Sequence, residues 1–514
     1  MDQAAEIIEV PQSPTIIETS NDPPVKPKSR AKIYFSLQDS IQLTEIPFVL
    51  MLFLGVLIFG LAVYPLGMLT LDYQGLLPAE TAGFFTYLQQ MTTTNGLLHP
   101  LGLLFNNGMY LIASQSYGFA HLILYTAHAL TAVLLALLIS RKYTRLESAL
   151  LGLLFLGLPL FTGQYGWFVQ ANLTIAIFVL GLQLLIVQST RLDLVVKSAI
   201  LVILQIICIL LHESMLFTFI PILLFLLPTE KPYFGGKHLR TLLLLSIPSL
   251  LYLIIKLFVI KPQSASSFFS DTILASISSF FSTLSSFFTR PVDYIGFWSS
   301  AFANGINFIT HTDIVILFVV SLVGLLIYEL AVFFTNRFAD GHVSSPLVNP
   351  LFWAILGVAT SIPYSPSAMG FPLFCFLIAI LQSIRLFSRR VGVIVACIIL
   401  LFCIPVSLGI LDKMKEQSFI DNDHFKTISE TVLQTTGGKQ QAVVMIENPP
   451  LTTNLPPFNL YMQQCVSLEI CISPAIVRQN KNISAVYFRS VPQGVSAPTI
   501  TFFYDSNTNI LIAK

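Results

Sequence analysis

Charge is what this chain has least of. Its 27 Lys and Arg and 26 Asp and Glu make up 10% of 514 residues, against 54% hydrophobic residues and a mean hydropathy of +0.77. That is too little charge to cover a soluble globule, and apolar runs long enough to cross a bilayer recur along the chain. An α-helical polytopic membrane protein is expected. A net charge of +1 offers no basic surface, so nucleic acid is not an expected partner. No GxSxG, Walker loop, CxxC or HExxH occurs, which removes the common soluble-enzyme chemistries. Cysteine is also scarce. Cys208, Cys375, Cys397 and Cys403 lie inside apolar runs and read as small core residues. Cys465 and Cys471 stand in the polar C-terminal stretch, roughly 20 Å apart on a straight strand, beyond disulfide reach. No bridge is expected there unless the chain turns between them.

What is present is a succession of apolar runs. Residues 1–30, rich in Pro, Ser, Thr, Asp and Glu, read as a disordered cytoplasmic tail. The basic cluster Lys26, Lys28, Arg30 and Lys32 follows. The first long run, PFVLMLFLGVLIFGLAVYPLGML, is too long for a cleaved signal core and no small-residue cleavage site follows it. Further spans are expected near 119–140, 146–163, 170–189, 195–211, 215–228, 241–260, 312–335, 347–361, 371–387 and 391–411, eleven in all. No internal repeat and no matched pair of broken helices is visible.

Before the C-terminal stretch, one set of alternate loops carries most of the Lys and Arg, including RKYTR at 141–145, KPYFGGKHLR at 231–240, and Arg385, Arg389 and Arg390. That set is expected to be cytoplasmic, with the N-terminus, and the tail after the last span exterior. The domains expected are thus the tail 1–30, a transmembrane domain 31–411, and a small exterior α/β domain 412–514. The transmembrane domain carries exterior segments at 70–118 and 261–311 and a short loop at 361–371. The 70–118 stretches are too amphipathic or too short to span, and half-buried interfacial helices are expected. SSFFSTLSSFF at 278–288 sets Phe on one helical stripe and Ser on the other, again a surface helix. The C-terminal stretch mixes a helical pattern (HFKTISETVLQTT) with strand signals (QAVVMIEN, ISAVYFRSV, TITFFYD).

Several polar residues interrupt this pattern. Asp72 directly follows the first span. It is either a solvated loop residue or helix cap, or a general base or metal ligand at the membrane surface. Glu80 is a weaker candidate. His99 precedes a proline; His121 and His128 are seven residues apart and share a helix face. Intramembrane histidines commonly bond a neighbouring backbone, and their spacing does not support a divalent metal. His212 and Glu213 break an apolar region, and Glu213 must be paired or face water. Tyr165 and Trp167 fit an aromatic belt at a helix end.

In order along the chain, several of these motifs resemble those of GT-C-type membrane glycosyltransferases. They are HPL at 99–101, GFAHLILYTAHAL at 118–130, LPLFTGQYGWFVQANL at 158–173, HES at 212–214 and YSPSAMGF at 364–371. The chain is most similar to the protein O-mannosyltransferase branch that carries tetratricopeptide repeats, and to its bacterial relatives, over about residues 45–390. The resemblance implies a sugar donor linked through phosphate to a polyprenyl lipid. It also implies a protein or envelope-glycan acceptor and inverting transfer on the exterior face of a bacterial inner membrane. It implies Asp72 as the catalytic base, with His99, His121, Glu213, Arg290 and Tyr364 on the substrate side and no nucleotide cofactor. His99 stands where that family has arginine, Leu124 replaces an asparagine, His212 replaces a lysine, the 361–371 loop lacks its arginine, and no repeats follow. A lipid or sugar transporter, or a catalytically silent scaffold, is the alternative.

Overall fold

A computed structural model describes residues 46–69, 72–73, 85–86, 89, 99–140, 143–189, 192–226, 236–259, 278, 281–282, 285, 291–311, 313–335, 349–361, 370–438, 440–450, 465–492, 495, 497–505, 508 and 510–514. The chain divides into Met1–Thr44, which with the expected tail 1–30 lies outside the described residues, and Glu45–Lys514, which contains everything below.

The helices are α1 (Ile46–Val63), α2 (Pro100–Ala113), α3 (Tyr117–Ser140), α4 (Arg145–Gly157), α5 (Ala171–Gln188), α6 (Leu194–Leu211) and α7 (Phe219–Leu226). After these come α8 (Gly236–Val259), α9 (Pro291–Thr310), α10 (Asp313–Thr335), α11 (Pro350–Thr360), α12 (Gly370–Phe387), α13 (Arg389–Thr436) and α14 (Glu469–Gln479). Leu, Ile, Phe and Ala supply the propensity and the apolar surface, and the starts are marked by capping residues. Thr144 and Glu147 form a reciprocal capping box on α4, Asp193 accepts the Val196 N–H on α6, and Asn349 precedes Pro350 on α11.

Each of the eleven expected stretches carries helix. Among the described residues six helices are long and apolar enough to cross a membrane, or up to eight if each bent pair is one span. The chain is an integral membrane protein. Its exposed Leu, Ile, Val and Phe side chains, such as Phe53, Leu137, Leu250 and Leu317, form the lipid-facing surface.

Four expectations need correction. The 146–163 run is not one unbroken helix: α4 stops at Gly157, and the chain bends by 48° into Pro159–Gly166. Pro159 cannot donate to the helix ladder and drives Leu158 to an extended conformation (φ −73°, ψ 123°). Short helical turns at Pro159–Phe161, Thr162–Gly166 and Phe168–Gln170 then dip into the bundle. Tyr165 and Trp167 are therefore buried among helices and do not form an interfacial belt.

Secondly, the 261–311 segment ends in α9, which packs along α13. A Cβ at Gly305 would collide with the Pro405 carbonyl, and one at Gly409 with the Ala301 carbonyl, so the two glycines let the backbones touch. Most of the Phe-rich stretch before α9 lies outside the described residues.

Thirdly, no break occurs where the tail was expected to begin. α13 is a single helix of 48 residues, about 72 Å long at 1.5 Å per residue, more than twice the hydrocarbon thickness. Its apolar part ends at Leu411, and the rest stands beyond the membrane until Gly437 (φ 61°) terminates it.

The fourth correction concerns Cys465 and Cys471, which do form a disulfide, with Cα atoms 5.4 Å apart. The chain turns between them, through a 3₁₀ turn at Cys465–Ser467 into α14.

The expected C-terminal α/β unit is present. Strands β1 (Ala442–Glu447), β2 (Ile483–Phe488), β3 (Thr499–Asp505) and β4 (Ile510–Ala513) form a sheet in the order β2-β1-β3-β4. β1 is parallel to β2 and to β3, and β4 is antiparallel to β3. α14 is the crossover from β1 to β2, and the buried Phe425, Ile428 and Val432 of α13 join the core of this unit to that of the bundle.

The α9–α13 contact makes a testable demand. Gly409→Leu is expected to destabilise the protein by about 2 kcal/mol or more, read as a lowered thermal midpoint in detergent. Gly108→Ala, where an added Cβ meets nothing, should lie within about 1 kcal/mol of the parent.

Candidate functional site

The broken helix between α4 and α5 creates the site, because it presents unwound backbone inside the protein. Asp72 is fully buried, and its Oδ1 accepts the Val169 N–H at 3.0 Å. Its Oδ2 is buried without a hydrogen-bond partner among the described residues. Burial pushes the Asp72 carboxyl well above its ordinary 3.8, against the backbone groups of Val169, Phe168 and Leu69, which pull it down.

From Val169 a chain of hydrogen bonds runs across the bundle. Asn106 on α2 donates to the Val169 carbonyl at 3.4 Å and accepts the Asn172 N–H at 3.1 Å. Asn172 in turn donates to the Leu211 carbonyl at 3.2 Å, at the end of α6. Gly102 sits in the same crossing: a Cβ there would strike the Leu211 carbonyl and press on the His99 ring and on Asn172. Each of these bonds meets a buried backbone group that lies at a helix break.

At the far end of that chain two imidazoles meet. His99, the residue before α2, stacks against His212 with ring centroids 6.0 Å apart and planes 24° apart. His212 Nδ1 accepts the Ser214 N–H at 3.1 Å, so in the neutral ring the proton is on Nε2. That Nε2 donates to nothing among the described residues. Glu213 follows at once, and its Oε1 accepts the Tyr252 hydroxyl at 2.8 Å, which provides the partner its position requires. The structure thus brings His99, His212 and Glu213 together and ties them through Asn172, Asn106 and Val169 to Asp72. It does not expose Asp72 as a loop residue.

His121 and His128 hold helices. His121 Nε2 lies 2.9 Å from the Gly67 carbonyl, with its ring stacked on Phe168 at 4.3 Å. His128 Nε2 lies 3.1 Å from the Phe155 carbonyl. Among the described residues no three His, Cys, Asp or Glu side chains come close enough to hold a metal ion. Arg290, Tyr364 and Glu80, and most of the stretch after Asp72, lie outside the described residues.

Sequence reasoning missed Asn106, Asn172 and Tyr252. Two of them were visible as polar residues inside apolar runs: LGLLFNNGMYLIA and FVQANLTIAIF. It also missed a second buried carboxylate, Asp421, on the part of α13 beyond the membrane. Asp421 Oδ1 accepts the Cys465 N–H at 2.9 Å and the Gln417 amide at 3.2 Å, and its Oδ2 has no partner among the described residues. Tyr73 stands between the two acids, its ring edge-on to Phe425 at 5.0 Å. Burial first, then the Asp421 charge, raises its phenol.

Burial lifts the Asp421 carboxyl from 3.8 to about 7, although its two hydrogen bonds oppose the shift. Between those values the folded protein holds a proton that the unfolded chain has lost. The stability present below about pH 4 is therefore expected to fall as pH rises to about 7, by up to about 4 kcal/mol. Asp421→Asn should flatten that slope in unfolding measured across pH 4–8.

No family model and no curated protein matches the chain. Among solved structures it is similar to ArnT from Cupriavidus metallidurans in the apo state, with 10% identity, 90% of this chain and 94% of that chain covered, and a TM-score of 0.36. A likeness that distant assigns neither fold family nor function.

Proposed function

We propose that the chain is a GT-C-type membrane glycosyltransferase that moves a sugar from a polyprenyl-phosphate donor to an acceptor hydroxyl. The observation that carries this reading is Asp72: a fully buried carboxylate with one oxygen fixed by the Val169 N–H and the other without a partner among the described residues. The motif resemblance supports it, as does the His99–His212 pair at the other end of the same hydrogen-bond chain.

In this mechanism Asp72 Oδ2 takes the acceptor hydroxyl proton as the acceptor oxygen attacks the anomeric carbon from the face opposite the phosphate. The new C–O bond forms as the anomeric carbon–phosphate oxygen bond breaks, the configuration inverts, and the lipid phosphate leaves with the bonding electrons. The His212 Nε2–H and His99 take the place of the family's arginine and lysine at that phosphate, where donors stabilise charge as it develops. Arg290 and Tyr364 are assigned to the donor side, and Glu213, with Tyr252, to holding the His212 turn. His121 positions the segment that carries Asp72. The acceptor is a protein or an envelope glycan.

The placement of Lys and Arg supports a site on the exterior face with the N-terminus cytoplasmic, and the motif resemblance implies a bacterial inner membrane. A disulfide in the C-terminal unit fits an oxidising exterior. Two bent helix pairs favour the transporter reading, and one assay separates the two.

Purified protein in liposomes should transfer sugar from a polyprenyl-phosphate donor, and Asp72→Asn should lose about 100-fold or more of that rate. Equal turnover by the variant removes Asp72 from the mechanism, and movement of the donor across the bilayer without transfer makes the protein a transporter. Because a base must be ionised to act, the rate should rise with pH through a value above the ordinary carboxylate range.

A further inference from the structure

A second polar cluster lies at the opposite ends of the helices. α3 leads away from the Asp72 side to Ser140, so Tyr143 and the start of α4 stand on the other membrane face. α12 brings Arg385 there, and α13 starts there with Arg389. Glu147 Oε1 accepts both the Arg385 Nε–H at 2.9 Å and the Arg389 Nε–H at 3.1 Å, while its Oε2 is taken up by the Thr144 cap. One carboxylate thus faces two guanidinium groups, and a positive charge is left over.

The arginines are held in place. The Arg385 guanidinium lies 3.8 Å over the Tyr143 ring, Tyr143 is hydrogen-bonded to Gln382, and Arg389 Nη2 donates to Thr144 at 2.7 Å. Both Nη groups of Arg385, and Nη1 of Arg389, have no partner among the described residues. Arg385 is 15% exposed and Arg389 48%. Arg385 and Arg389 line a cleft together with Tyr143 and Gln382, and its other walls are largely apolar: Leu150, Leu151, Leu381, Val393 and Ala396.

We infer that this cleft binds an anionic phospholipid of the leaflet opposite Asp72. Its phosphodiester would rest on the free guanidinium nitrogens of Arg385 and Arg389, and the start of an acyl chain on the leucine and valine walls. Fixed, paired guanidinium groups suit the oxygens of a phosphate. Basic pockets between transmembrane helices at the membrane surface take lipid headgroups of this kind. An inorganic anion would leave the apolar walls unused, and a neutral lipid would leave the excess charge unmet. The site is independent of the glycosyltransferase reading.

The test is thermal unfolding of the full-length protein in detergent, titrated with phosphatidylglycerol, phosphatidylcholine or inorganic phosphate. Phosphatidylglycerol is expected to raise the midpoint at a concentration at least ~10-fold below that needed of phosphatidylcholine, as charge-assisted bonds predict, and inorganic phosphate is expected to leave it unchanged. Arg389→Gln should raise the half-saturating phosphatidylglycerol concentration at least ~10-fold, while Arg390→Gln should not. Equal responses to the two lipids, an equal response to phosphate alone, or an unchanged Arg389→Gln would overturn the inference. Should Arg389→Gln fail to fold, native mass spectrometry of the wild type decides: anionic lipid retained above its share of the membrane supports the site, and retention at that share refutes it.

Discussion

Backbone polar groups cannot be left unmet inside a membrane protein, and the break between α4 and α5 is where that constraint presses hardest. Pro159 ends the helix ladder in mid-bundle, and the turns from Leu158 to Ala171 expose N–H and carbonyl groups with no water to satisfy them. Asp72 and Asn106 meet the Val169 N–H and carbonyl, Asn106 accepts the Asn172 N–H, and His121 Nδ1 lies 3.4 Å from the Tyr165 carbonyl. The candidate site is thus the same set of residues that makes the broken helix tolerable. One atom exceeds that structural need. Asp72 Oδ1 satisfies the Val169 N–H, whereas Oδ2 meets no partner among the described residues.

The two faces of the bundle solve different electrostatic problems. On the Asp72 side, Asp72 and Asp421 have no arginine or lysine bonded to them among the described residues, so burial drives their carboxyls towards the neutral form. On the opposite side one buried acid, Glu147, is outnumbered by the arginines around it. A carboxylate without a cation is a proton acceptor in waiting, and a cation in excess is an anion site. That contrast separates the proposed chemistry from the proposed lipid contact.

α13 connects the two. It begins at the arginine cluster, crosses the membrane with its backbone against α9 at Gly305 and Gly409, passes Asp421 and ends under the sheet of the C-terminal unit. One continuous helix thus links the bundle to that unit. The Cys465 N–H, which reaches Asp421, fastens the unit to this helix from the side, and the disulfide closes the turn that carries it.

The helices were legible in the sequence because lipid demands long apolar runs, and run length is a local property. The strands QAVVMIEN, ISAVYFRSV and TITFFYD were legible for the same reason, through alternation and β-branching. Asp72, His99 and Glu213 stood out because an ionisable or polar residue next to an apolar run is costly wherever it occurs. What no local pattern contains is which backbone group each polar residue meets. The pairing of Asp72 with Val169, separated by 97 residues, the stacking of His99 on His212, and the sharing of Glu147 by Arg385 and Arg389 depend on how helices cross. The disulfide depends likewise on a turn that the spacing of its cysteines does not reveal. The sequence by itself determined which stretches are apolar enough to cross a membrane and which residues within or beside them could not be left unpaired. The tertiary structure decided which of them were needed to satisfy backbone and which were left over, because hydrogen bonding acts over a few ångströms between segments far apart along the chain.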